Sequence, residues 1–134
     1  PPFEPAAVLA AALTADPARA GATVATFFLT AWDTDTERSA LIGLVRSAVT
    51  EPAAAAMVRQ GLIAPVKGAL EQFGADRADL RATLIASQLI GLAMGRYIVQ
   101  LPPLVEASRE QLVSAVAPAL QRYITGDISK GDGS

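Results

Sequence analysis

Apolar residues recur along this chain at helical spacing, and the polar, glycine and proline residues between them predict where each helix begins and ends. The first predicted helix runs from about Pro5 to Ala15. Asp16-Pro17 sets a capping side chain before a proline at the first helical position, so a second helix starts there and reaches about Trp32. A polar turn, Asp33 to Thr36, precedes a third helix from about Glu37 to Val49. Thr50-Glu51-Pro52 opens a fourth, ending near Phe73-Gly74, where glycine suits a left-handed C-terminal position. Asp76 is expected to cap a fifth, from Arg77 to about Gln100, stopped by Pro102-Pro103. Ser108-Arg109-Glu110-Gln111 has the form of a capping box for a sixth, ending at Gly126. No Asn-Gly or Asp-Gly turn lies between apolar runs, so the expected class is all-α, about six helices without a sheet. Residues 1–126 read as one helical domain and residues 127–134 as a flexible tail.

The apolar stripes cover more surface than a single small core requires. On the second helix, Ala20, Val24, Phe27, Phe28 and Ala31 form one stripe, and Ala22, Ala25, Leu29 and Trp32 an adjoining one. The remaining face carries Thr23, Thr26 and Thr30, either a mildly polar solvent face or a hydroxyl row lining a cavity. The fifth helix is apolar almost all round and sets Ser87, Gly91 and Gly95 at successive four-residue steps, a row that admits another helix backbone closely. The sixth has its own stripe, Leu112, Val116, Ala119, Leu120 and Tyr123. Two consecutive helices of this kind point to self-association through residues 77–100 and 108–125. Pro65 and Pro118 fall inside helices and predict kinks, with Gly61 four residues before Pro65 to absorb one of them.

Composition narrows the chemistry. Of 134 residues 51% are hydrophobic, yet the aromatics are only four Phe, two Tyr and one Trp, so alanine and the aliphatics must build the core. Histidine and cysteine are absent, which removes most nucleophile–base pairs and transition-metal sites. Asp33, Asp35 and Glu37 lack the glycine and terminal glutamate of a calcium loop and read as a solvated, capping turn. No catalytic residue, metal site or cofactor is expected, and an enzyme is disfavoured. The net charge of −2 and the lack of a basic stripe argue against direct contact with nucleic acid. The start, Pro1-Pro2-Phe3-Glu4, shows no signal peptide, and uncharged stretches such as Ala82 to Gly95 fall short of a membrane span. A cytoplasmic protein without a membrane partner is expected. Beginning on proline, the chain reads as a fragment or a processed product.

The segment Arg81 to Ile98, RATLIASQLIGLAMGRYI, resembles the penultimate helix of many TetR (tetracycline-repressor-like) transcriptional regulators. So do Leu101-Pro102-Pro103-Leu104, Ser108, and Ala117 to Gly126, APALQRYITG. The resemblance covers about a third of the chain well and is mainly a packing pattern. It implies an all-helical C-terminal domain whose last two long helices pair with their symmetry mates in a four-helix bundle. Ser87, Gly91, Gly95, Leu112, Val116, Leu120 and Tyr123 are then the candidate dimer contacts. It also implies a ligand cavity among the preceding helices. Such regulators carry a helix-turn-helix domain that nothing here matches, Pro1 to Ala15 being too short and uncharged, so DNA would be reached only through a missing N-terminal domain.

For the cavity, Phe27, Phe28 and Trp32 concentrate three of the aromatic rings within six residues, and Trp32 offers an indole N–H to a ligand acceptor. Thr30 belongs to the hydroxyl row, the resemblance implies that Met57 and Leu62 of the fourth helix also lie near the cavity, and Pro65 is expected to free the carbonyl of Gly61. The scarcity of charge in these helices favours a small, apolar, uncharged effector. Three roles remain open on sequence: the sensing and dimerising domain of a regulator, a stand-alone small-molecule carrier, or a dimerisation module whose rings form a filled core on Met57, Leu62 and Val66.

Overall fold

The computed structural model describes residues 4–129, which are all-helical with no strand among them. Helix α1 is Pro5–Ala15, and a 3-10 turn, Pro17–Arg19, leads into α2, Ala20–Trp32. Helix α3 is Asp35–Thr50. Helix α4 spans residues 52–72, with α-helical Pro52–Val58 and Ala64–Gln72 flanking a π turn at Arg59–Ile63. Helix α5 spans residues 78–98, its α-helical part Ala78–Ala93 ending in a π turn at Met94–Ile98. Helix α6 is the short Pro102–Glu106, and α7 is Arg109–Thr125. The expected tail falls on residues 127–134, of which 130–134 lie outside the described residues.

Seven helices replace the expected six because Pro102-Pro103 both stops α5 and occupies the first positions of α6, where the missing N–H groups cost nothing. Local signals acted unevenly. The capping box formed: the Ser108 hydroxyl accepts from Gln111 N–H, and the Gln111 side chain accepts from Ser108 N–H. Gly74 is left-handed at φ +78°, with Gly74 N–H on the Glu71 carbonyl and Ala75 N–H on that of Leu70. Asp16 and Asp76, by contrast, make no capping hydrogen bond. Arg77 takes the position before α5 at φ +48°, and the Asp76 carboxylate accepts from Arg81 instead. The strain expected at Pro65 is relieved upstream, in the π turn that ends with Ala64 N–H on the Arg59 carbonyl.

Two connected cores hold the helices. The larger is aliphatic and joins Leu9 and Leu13 of α1, Val66 and Leu70 of α4, Ala82 and Ile85 of α5, and Leu120 and Ile124 of α7 around Ala20 and Ala25 of α2. The smaller is aromatic, with Phe28, Leu29 and Trp32 of α2 on Leu92, Ala93 and Leu112. Helix α2 meets α7 so closely that a Cβ on Gly21 would lie 2.5 Å from the Ala117 carbonyl oxygen and 2.7 Å from Gln121 N. Gln121 clasps the crossing: its Oε1 accepts from Gly21 N–H at 2.8 Å, and its Nε2 donates to the Pro17 carbonyl at 2.8 Å.

Arg81, only 4% exposed, closes the end of α7. Its guanidinium donates to the carbonyls of Tyr123 (2.9 Å) and Gly126 (2.7 Å), and to the carbonyl (2.7 Å) and carboxylate (2.8 Å) of Asp76. Carbonyls at a helix C-terminus lack intrahelical donors and carry partial negative charge, so a buried cation there is satisfied on several sides at once. Arg96 serves α6 in the same way, donating to the carbonyls of Leu104 and Ala107.

Candidate ligand cavity and association face

Between α1, α2, α3, α4 and α5 lies a cavity of about 90 Å³. Leu9, Val24 and Phe28 form one side of it. Leu41, Leu44 and Val45 of α3 face Val58, Leu62 and Val66 of α4 across another, and Ile85 and Leu89 of α5 close the floor. No lining residue is polar. A volume equal to about three waters' share of the liquid, with no hydrogen-bonding partner on its walls, is suited to an apolar occupant rather than to water. A charged occupant would be desolvated without compensation.

Two helices make this wall unusual. Helix α3 contributes three side chains to the cavity, yet none of its residues is fully buried. Helix α4 passes the cavity at its π turn, a form of helix wider than α and frequent at functional sites. On the α3 side the wall is therefore built from residues that are only partly buried.

Of the residues expected around a ligand, Phe28 and Leu62 line the cavity. Phe27 turns to the other side of α2, beside Val8, Arg19, Thr23 and Thr26 in a shallow surface groove. Thr23, Thr26 and Thr30 are exposed, so the threonine row is a solvent face; Arg109 donates to Thr30 Oγ1 at 3.4 Å. Met57 is 63% exposed and Gly61 is exposed, both outside the cavity. Trp32 is 1% exposed and lies in the aromatic core, stacked on Tyr97 at 4.8 Å between ring centroids, with Phe28 5.9 Å away on its other contact. The lining contributed by α3 was missed, although Leu41, Leu44 and Val45 form an i, i+3, i+4 set on that helix.

The candidate association residues divide. Ser87 and Gly91 are exposed on α5, and nothing lies within 4 Å of a Cβ on Gly91. Leu112 and Leu120 are buried within the chain. Gly95 is buried too, with a Cβ there falling 2.7 Å from Leu104 Cδ1, so its smallness serves the packing of α6. Val116 and Tyr123 are half-buried against the core.

Acidic side chains of the α2–α3 turn are engaged in pairing: Asp33 with Arg109 at 2.9 Å, Asp35 with Arg38, and Glu37 with the Thr34 hydroxyl at 3.0 Å. Burial pushes the Tyr97 phenol above its ordinary value, partly offset by the Arg96 guanidinium 5.6 Å from the ring centroid, so the phenol stays protonated at neutral pH. Among the described residues no helix is long and apolar enough to cross a membrane.

An all-helical domain built around an apolar cavity, with a long, partly uncovered helix on its surface, is the class defined by these features. The chain belongs to the tetracyclin repressor-like C-terminal domain family, which matches residues 18–124, from the start of α2 almost to the end of α7. Domains of this family belong to transcription regulators, which are not enzymes, and typically dimerise and bind small-molecule effectors. The chain matches no curated protein and no solved structure.

Proposed function

We propose that this chain is the effector-sensing and homodimerising domain of a tetracyclin repressor-like transcription regulator, with DNA read by a helix-turn-helix unit joined to it. The observation that carries the sensing role is the wholly apolar cavity, walled by α3 and by the π turn of α4. Such a site takes a small, uncharged, mainly hydrocarbon body, and the partly buried α3 wall gives it room to adapt. A stand-alone carrier would share the cavity; family membership favours the regulator.

The test is binding with a filled-cavity control. A small cyclic hydrocarbon should raise the melting temperature, by the equivalent of about 1.4 kcal/mol at ten times its dissociation constant. Ala86→Leu, which adds bulk to the cavity lining, should abolish this shift while leaving the protein folded. No shift in the unmodified protein up to ligand solubility overturns the sensing role.

For dimerisation the proposed face is the outer side of α5 around Ser87 and Gly91, joined by the outward side of α7 in a four-helix bundle with a second copy. An obligate interface of this kind buries on the order of 2,000 Å² or more in total. Gly91→Leu should weaken association in sedimentation experiments without unfolding the chain, since nothing in the protomer occupies the space. A wild-type protein that sediments as a monomer at micromolar concentration overturns the dimer.

A further inference from the structure

The aromatic core contains two polar atoms that the fold leaves poorly satisfied. Trp32 Nε1 and the Tyr97 hydroxyl oxygen are buried without a hydrogen bond of good geometry, although the Arg96 guanidinium lies near enough to Tyr97 to favour its ionised form. The two side chains are stacked on each other, so both groups belong to one cluster. A buried donor without an acceptor costs about 1–3 kcal/mol, and most proteins avoid it. Here two such costs fall in one place.

That place adjoins the cavity. Phe28 lines the cavity and is also a core member of the aromatic cluster, its ring 5.9 Å from Trp32. Leu41 and Leu89 likewise border both. Phe28, Leu41 and Leu89 are thus shared between the cavity lining and the packing around Trp32.

The charge around the pair decides what would complete it. Arg38 donates to the Trp32 carbonyl at 3.0 Å and pairs with Asp35. Arg96 is committed to the carbonyls of Leu104 and Ala107, and Asp33 is paired with Arg109. Each neighbouring charge thus already has a partner within the fold, which disfavours an anionic head. An indole N–H donates only, whereas a phenol can donate or accept. What both can share is an uncharged oxygen acceptor, such as the carbonyl of a ketone or ester.

We infer that the effector is an apolar molecule bearing one uncharged oxygen acceptor, its body in the cavity and its oxygen hydrogen-bonded by Trp32 Nε1 with the Tyr97 hydroxyl as second donor, once Phe28 swings aside. This rests on the sensing role proposed above and adds the polar end of the ligand to it.

Cyclohexanone and methylenecyclohexane test it, since they differ mainly in C=O against C=CH2. Trp32 is the only tryptophan, so its indole N–H gives one unambiguous resonance in the nitrogen-15-labelled protein. The ketone should move that resonance downfield and bind about three- to tenfold more tightly than the alkene, the worth of one neutral hydrogen bond. Tyr97→Phe should reduce the preference, and Trp32→Phe, read by thermal shift, should remove it while alkene binding persists. Equal affinities with an unmoved indole resonance overturn this inference and leave the apolar cavity standing. Binding of neither compound overturns the sensing role as well.

Discussion

Helix α2 is packed quite differently by its two neighbours. Toward α7 it is in backbone contact at Gly21, clasped by Gln121 and backed by the wholly buried Leu120. Toward α3 it faces a helix without a buried residue and a cavity that no polar group fills. Packing energy grows with the number of close atom pairs, and interiors are normally as dense as organic crystals. The α2–α7 side brings backbone against backbone, while the α3–α4 side borders empty space. The α2–α7 side is therefore expected to be the rigid spine and the α3–α4 side the wall that gives, the division of labour that the proposed sensing role requires.

Matched substitutions sharpen this contrast, and the largest effect is expected in the spine. Leu120→Ala should cost about 4 kcal/mol in urea unfolding, because the site is sealed and cannot collapse. Leu44→Ala, on the half-buried cavity wall, should cost only about 1 kcal/mol. Equal losses at the two sites would remove the distinction between spine and wall.

Glycine to alanine should change sign across the molecule. At Gly21 the added methyl meets the α7 backbone, and Gly21→Ala should destabilise by about 2 kcal/mol despite its better helix propensity. At Gly43 in α3 nothing lies within 4 Å of a Cβ, so Gly43→Ala should stabilise by about 0.5–1 kcal/mol. Melting temperatures that fall in both variants would show α3 to be packed more tightly than described.

The smallest effect concerns the aromatic core between these sides. Tyr97 ionises less readily folded than unfolded, so its contribution to stability is intact below pH 10.0, its ordinary value, and declines as pH rises toward the folded value. Stability should therefore fall above about pH 10 more steeply in the wild type than in Tyr97→Phe. Parallel curves would mean the phenol is solvated rather than buried.

Features that depend on a few neighbouring residues were legible in the sequence. The Ser108–Gln111 box, the left-handed Gly74 and the bounds of α1 all follow from interactions within one or two turns. Phe28 and Leu62, expected near a ligand from the family resemblance, do border the cavity, whereas Phe27, on the same apolar stripe as Phe28, does not. The place of Trp32 was not legible. Its period placed it beside Phe28, but only the approach of Tyr97 from α5 closed the aromatic core over it.

By itself, the sequence determined that the chain is helical, where most helices start and stop, and that it lacks the histidine and cysteine on which much catalytic chemistry depends. Only the tertiary structure decided how each apolar stripe is used. Gly91 and Gly95 are the same residue one turn apart on α5, yet one faces open space and the other lies under Leu104. Asp76 could have capped α5 but serves the buried Arg81, which reaches across to the carbonyls of α7. Periodicity assigns a residue to a face of its own helix; which element covers that face depends on contacts between segments distant in sequence, and no local pattern encodes them.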